Sequence, residues 1–269
     1  SNLTGIGGKG KGLAEKFTVS NSISFEMVGT PGEIRFYVYS PKKFAEHVEK
    51  QVLGSYQDAE VRKVDDYNIF TENSEVAFTK LQLSEESYCP IKVIEDFTGD
   101  PIANILSSLS KMSHGEGAMV QVVISPSGGD WQKNGSAFVK KVQNNNSDPE
   151  KKKINVDEDK LEAIGKKTAK NGFVTDIRIV TAAPDKELAK MHLDNIVGAF
   201  DQYSNPGINK FKKIDIKGAK KEEEFMYDVV YRRPSLGSGS ILNVEELAAI
   251  YHFPNKEITT PNINWLSLA

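Results

Sequence analysis

The sequence predicts an α+β fold, a ferredoxin-like (split βαβ) unit followed by a second, related α/β unit. Three observations point there. Short runs rich in β-branched and aromatic residues alternate apolar with polar. Between them apolar residues recur once per helical turn, and three strand exits share one form: YVYSP at Pro41, VVISP at Pro126 and VTAAP at Pro184.

Residues 1–22 read as a Gly/Lys linker. The run from Gly5 to Lys11 has the Gly-x-x-x-x-Gly-Lys spacing of a phosphate loop, but Gly12 stands where the magnesium-binding hydroxyl belongs. Only Ser1 to Thr4 precede the first glycine, too few for the buried strand that must feed such a loop. Ile23, Phe25 and Met27 mark a strand, Thr30-Pro31-Gly32 a turn, and Ile34 to Tyr39 a second strand. Ser40-Pro41 then starts a helix whose stripe is Phe44, Val48, Val52 and Tyr56. Ala59 to Val64 and Glu75 to Leu83 alternate as two more strands. Asp100-Pro101 opens a helix with Ile102, Ile105, Leu106, Leu109 and Met112 on one side, and Ala118 to Ile124, an apolar run broken by Gln121, reads as a central strand. From Ile34 the order is β-α-β-β-α-β, and residues 23–143 form the first unit.

Trp131 to Val142 is a short helix that runs into a polar stretch, 144–156, expected as the internal linker. The second unit, 157–252, starts with a charged helix from Asp157 to Lys170, carrying Leu161 and Ile164 inward and capped by Asn171-Gly172. A strand at Phe173 to Val180 and a helix after Ala183-Pro184 follow, and Ile208–Ile216 with Phe225–Tyr231 would close the unit as a β-pair. The helices after Pro41 and Pro184 agree in their stripes and their small-then-aromatic finish, which fits either a repeat or two ordinary amphipathic helices. Gly237 to Ser240 is a flexible entry to a helix from Asn243, with Glu246 at the third position of a capping box.

At 39% hydrophobic residues, the 269-residue chain can build packed cores, and no apolar run approaches the length of a membrane helix. One cysteine, Cys89, excludes an internal disulfide, and the scattered His47, His114, His192 and His252 offer no zinc set. No metal or other cofactor is expected, and no nucleophile with its base stands out. Charge is uneven: Lys+Arg against Asp+Glu is 13 to 18 over residues 1–139 and 20 to 16 over 140–233. Lys210, Lys212 and Lys213 lead the basic stretch and are the candidates for a nucleic-acid-guiding surface, although Glu222, Glu223 and Glu224 follow closely. An RNA-recognition sheet is not indicated, because Arg35-Phe36-Tyr37-Val38 lacks the required glycine.

Three segments carry a family resemblance: ISFEMVGTPGEIRFYVYSPKKFAEHVEKQVLGSYQDAEVRKVDDY, DPIANILSSLSKMSHGEGAMVQVVISP and SILNVEELAAIYHFPNKEITTPNINWL. Together they resemble the region that precedes the motor domain in bacterial type IV secretion and conjugative DNA-transfer ATPases. The resemblance implies a non-catalytic accessory domain, cytoplasmic and held at the inner face of the membrane by its parent chain. Its partners would be a downstream ATPase domain, secretion-channel proteins or further copies of itself. The missing initiator Met and the Ser1-Asn2 start are expected of a piece cut from such a parent. Without Walker motifs the piece itself is expected not to hydrolyse ATP. The tail, residues 253–269, is expected to be an extended connector. Pro254 and Pro261 forbid a continuous helix, while Ile263, Trp265 and Leu266 are apolar anchors for a partner surface.

Overall fold

The computed structural model describes residues 21–55, 61–235, 239–254 and 263–268, the last of these as backbone only. Strand β1 (Ile23–Thr30) and β2 (Glu33–Tyr39) form a hairpin, with Thr30 opposite Glu33 across the expected Pro31-Gly32 turn. Gly32 has φ +72°, the left-handed value that the second central position of such a turn demands. Helix α1 (Lys42–Ser55) follows, then β3 (Glu75–Leu83), α2 (Ile102–Leu109), β4 (Gly117–Pro126) and α3 (Asp130–Ser147). The remainder is α4 (Glu158–Thr168), β5 (Gly172–Ala183), α5 (Lys186–Ala199), β6 (Phe211–Ile214), α6 (Ala219–Val230), β7 (Ser240–Asn243), α7 (Val244–Ile250) and β8 (Ile263–Leu268). The fold is α+β, as the periodicities predict. Among the described residues no helix is long and apolar enough to cross a membrane.

One sheet gathers all eight strands, in the order β6-β3-β5-β4-β1-β2-β8, with β7 beside the first residues of β5. Every pairing is antiparallel except that of β8 with β2. The two segments expected as separate units therefore share a sheet: β4 of the first pairs along its whole length with β5 of the second, and β3 lies between β5 and β6. The polar stretch from 144 is no simple linker either, since α3 continues to Ser147.

Several local expectations change for physical reasons. Residues 61–64, expected as the end of a strand, form none, and 59–60 lie outside the described residues. Here Val61 packs with the core of one sheet face and Val64 with that of the other, so the alternation belongs to a chain crossing between faces. Among the described residues the order from β2 to β4 is therefore strand-helix-strand-helix-strand, without the additional strand of the split ferredoxin pattern. Phe225–Tyr231 is not a strand but the second half of α6 with its C-cap Tyr231: Phe225 and Val229, one turn apart, are its buried stripe. In their absence β6 pairs with β3. Gly172 is the first residue of β5 rather than a helix cap, and a side chain there would meet the Trp131 ring at 2.6 Å.

The core is divided by the sheet. On one face Met27, Phe36, Val38, Val120, Val122, Ile177 and Ile179 pack against α2, α5 and α7. On the other, Val28, Tyr37, Met119 and Val180 meet Ile69 from the loop before β3 and Phe225 and Val229 of α6.

Candidate functional site

The second sheet face carries a feature that its apolar surroundings do not require. Register places Tyr37 opposite Glu26, Glu26 opposite Gln121, Gln121 opposite Arg178 and Arg178 opposite Lys80. A row of polar side chains thus crosses five strands beneath α6, and Glu26, Gln121 and Arg178 are essentially inaccessible to water. Burial of such groups is tolerable only if each finds a partner.

They find them in one another and in the chain that leaves α6. The Glu26 carboxylate accepts from Ser24 Oγ at 2.8 Å, Tyr67 Oη at 2.6 Å, Gln121 Nε2 at 2.9 Å, and Arg232 Nε and Nη2 at 2.7 and 3.2 Å. Gln121 Nε2 also donates to the Val229 carbonyl at 2.9 Å. Arg178 donates to Gln121 Oε1 at 3.1 Å, to the Asp228 carbonyl at 3.0 Å and to the Arg233 carbonyl. Asp176 accepts from the Ser235 backbone N–H at 2.6 Å and pairs with Lys80 Nζ at 2.7 Å. The row therefore holds the backbone from Asp228 to Ser235 against the sheet.

Arg232 is the centre of this latch and pays for its position in backbone strain. Its φ is +51°, and it is the one non-glycine with positive φ among the described residues. The reason is the helix end: the Arg233 N–H reaches the Asp228 carbonyl at 2.9 Å and the Arg232 N–H the Val229 carbonyl at 3.2 Å. That pair of bonds is a Schellman closure, whose left-handed position glycine usually fills. Arginine is kept there because its guanidinium bridges Glu26 and Asp66, the latter at 2.7 and 3.2 Å, and lies 4.5 Å from the centre of the Tyr39 ring. Burial, helped by the negative charge of Glu26, pushes the Tyr67 hydroxyl well above its ordinary pKa, so it stays a donor. A groove of about 210 Å³ opens beside this centre, bordered by Tyr67, Ile69, Phe70, Met119, Val230 and Arg232.

The opposite balance holds at Asp176. Burial alone would raise its pKa, but Lys80 and Arg178, with the Ser235 N–H, outweigh it and hold the carboxyl below the usual range. A folded-state pKa below the unfolded value, about 3.9, stabilises the fold above that pH, and the contribution is lost as pH falls through the folded pKa. Asp176→Asn is therefore expected to unfold at lower temperature at pH 7, yet to lose less stability than wild type between about pH 5 and pH 2. Thermal melts across that range check it; parallel curves for the two proteins would exclude the linkage.

A second buried pair borders a cleft of about 440 Å³ that Lys167 and Asn243 help to line. Lys167 of α4 meets Glu246 of α7 at 3.0 Å, both side chains fully buried. Glu246 also accepts the Asn243 N–H at 2.9 Å, closing the predicted capping box, and the Ile91 N–H at 2.9 Å. Lys167 donates to the Ile241 carbonyl at 2.9 Å. The cleft is also lined by Glu95, Asp96, Asp159, Glu162 and Glu245, of which Glu162 pairs with Lys166 and Glu245 with Lys170. Among the described residues no three His, Cys, Asp or Glu side chains come together as a metal set.

The residues expected from sequence fall elsewhere. Lys210, Lys212 and Lys213 are exposed, the last two on the edge strand β6, and Lys213 pairs with Asp194 at 3.0 Å. Lysines on a four-residue edge strand also deter edge-to-edge pairing. Ile263, Trp265 and Leu266 lie on β8, whose backbone runs parallel to β2 with Ile34 opposite Ile263 and Arg35 opposite Asn264. The Gly-Lys run at 5–11 lies outside the described residues. Sequence reading passed over Glu26, Gln121, Arg178 and Arg232. For the first three the signal was a polar residue in the middle of an apolar strand, most plainly Gln121 between Val120 and Val122; Arg232, in the turn after α6, carried none.

Compared with known families, the chain matches over residues 11–266 the model described as Domain of unknown function (DUF8128). The comparison with curated proteins found no match.

Proposed function

The chain belongs to the family described as Domain of unknown function (DUF8128), and we propose that it serves as a non-catalytic accessory domain of a bacterial type IV secretion or conjugative DNA-transfer ATPase. In this role it mediates protein contacts and motor assembly on the cytoplasmic side of the membrane, next to the motor domain of its parent chain. The observation that carries the reading is where the resembling segments meet. Phe25 and Phe36, from the first, contact Tyr251 of the last with ring centres 5.0 and 6.0 Å apart, and Phe36 contacts Phe253 at 5.7 Å. Tyr251 Oη donates to the Tyr37 carbonyl at 3.3 Å, and β8 adds its backbone to the edge of β2. His252 is fastened as well, with Nδ1 2.8 Å from the Ala248 carbonyl and Nε2 2.7 Å from Asp100. An exit built into the sheet gives a following domain a fixed orientation, which an assembly module needs and a free linker cannot provide. Consistent with a non-catalytic role, the buried ionisable side chains of both clusters are engaged with protein partners.

The reading frame of the parent gene tests this first. A strand and a Walker phosphate loop are expected within a few tens of residues after Ala269, and a parent without them sinks the reading. Given that motor, the isolated chain is expected to show no ATP turnover, while Tyr251→Ala in the parent lowers the oligomer's turnover by about 10-fold or more through lost orientation. Unchanged turnover and assembly in that variant would separate the domain from the motor's function.

A further inference from the structure

Eight large apolar side chains stand out as exposed among the described residues, and four of them sit at one place: Tyr39 at 44%, Tyr227 at 45%, Val230 at 50% and Tyr231 at 46%. Tyr227 of α6 and Tyr231, which caps it, are one turn apart and have ring centres 4.4 Å from each other. Tyr39 stacks on the guanidinium of Arg232, the residue next to Tyr231 in the chain, and Val230 and Arg232 border the groove that Ile69, Phe70 and Met119 line. The same surface thus carries protruding aromatic rings and an apolar recess with room for one of them. The polar row beneath holds this helix end rigid, so little ordering entropy remains to be lost on binding.

We propose that this face binds a second copy of the chain in a twofold, isologous contact, with Tyr231 of each copy entering the groove beside Val230 of the other. Twofold pairing requires a surface that complements itself, and a protrusion next to a recess does so twice over. Charge agrees. Arg232 is neutralised by Glu26 and Asp66, and Arg233 lies 3.4 Å from Asp228, so two copies of the face do not repel. A nucleic-acid backbone fits less well, because its phosphates would have to compete with those carboxylates for the arginines. Aromatic side chains with neighbouring arginine are also the composition of energetic centres in protein interfaces. Self-association through this face does not depend on the secretion reading, and a monomer would remove it without touching that reading's own test.

Sedimentation equilibrium of the 269-residue chain over a wide concentration range decides the matter. The expected result is a reversible monomer-dimer equilibrium that Tyr231→Glu abolishes and Tyr227→Ala weakens at least about 10-fold. At concentrations too low for the wild type to dimerise, both variants should keep its melting profile, because the two rings are half exposed. Met191→Glu, an exposed site on α5 across the sheet, should leave the dimer intact. A wild-type chain that stays monomeric at the highest concentration overturns the proposal, as does a dimer that survives Tyr231→Glu. So does a monomer that binds a fluorescent oligo-dT strand in a manner lost on Tyr227→Ala, which would give the face to single-stranded nucleic acid.

Discussion

Arg232→Ala is expected to lower the unfolding free energy by about 3–5 kcal/mol, the usual loss when one partner of a buried ion pair is removed. Glu26 is completely buried, and the substitution takes away its ion-pair partner together with two of its five hydrogen bonds. The Asp66 end of the bridge contributes far less, since its carboxylate is more than half exposed and water replaces the lost partner. A second substitution separates charge from strain. Arg232→Gly removes the same guanidinium but also relieves the φ of +51°, so it is expected to be more stable than Arg232→Ala by about 1 kcal/mol. Urea unfolding of both variants at pH 7 measures the two effects. A loss below about 1 kcal/mol in Arg232→Ala would mean that the latch is worth no more than a surface pair.

The placement of the strands was largely legible in the sequence, and so were the helix starts. Alternation, or for β4 a nearly unbroken apolar run, marked β1 to β5, and Asn243 with Glu246 announced α7 by its cap. What failed was the stretch from Phe225 to Tyr231, an apolar and aromatic run broken only by Asp228 that reads like a buried strand. The helix wins there because Phe225 and Val229 fall one turn apart, and because strong helix formers from Ala219 to Glu224 begin it. The latch was harder to see. Each of its members lies in a different strand, and only the register of β1, β4, β5 and β3 brings Glu26, Gln121, Arg178 and Lys80 into one line. Periodicity within a strand shows that a polar residue points to a buried face, but not which polar residue on another strand answers it. The same holds for Lys167 and Glu246, 79 residues apart, which read in sequence as a surface helix charge and a capping residue.

That pair supports the second large effect. Lys167→Met is expected to destabilise the fold by about 3–5 kcal/mol at pH 7, leaving Glu246 buried without its cation. Burial already pushes the Glu246 carboxyl above its ordinary range, against the pull of Lys167, and pushes the Lys167 ammonium down, so neither charge is stable there alone. With the lysine gone the folded-state pKa of Glu246 stays above the unfolded value, about 4.3. A group of that kind stabilises the fold below its unfolded pKa and loses that stabilisation as pH rises through the folded one. The deficit of Lys167→Met relative to wild type should therefore shrink as pH is lowered from about 8 toward 5. Adding Glu246→Gln should recover part of the loss at neutral pH, because the amide oxygen still accepts one of the two N–H groups of Asn243 and Ile91 that the carboxylate now holds. The cycle is expected to return a coupling of about 2–3 kcal/mol. Additive single effects, or a deficit that does not change with pH, would mean that Glu246 is held by its backbone donors and that Lys167 contributes only its packing.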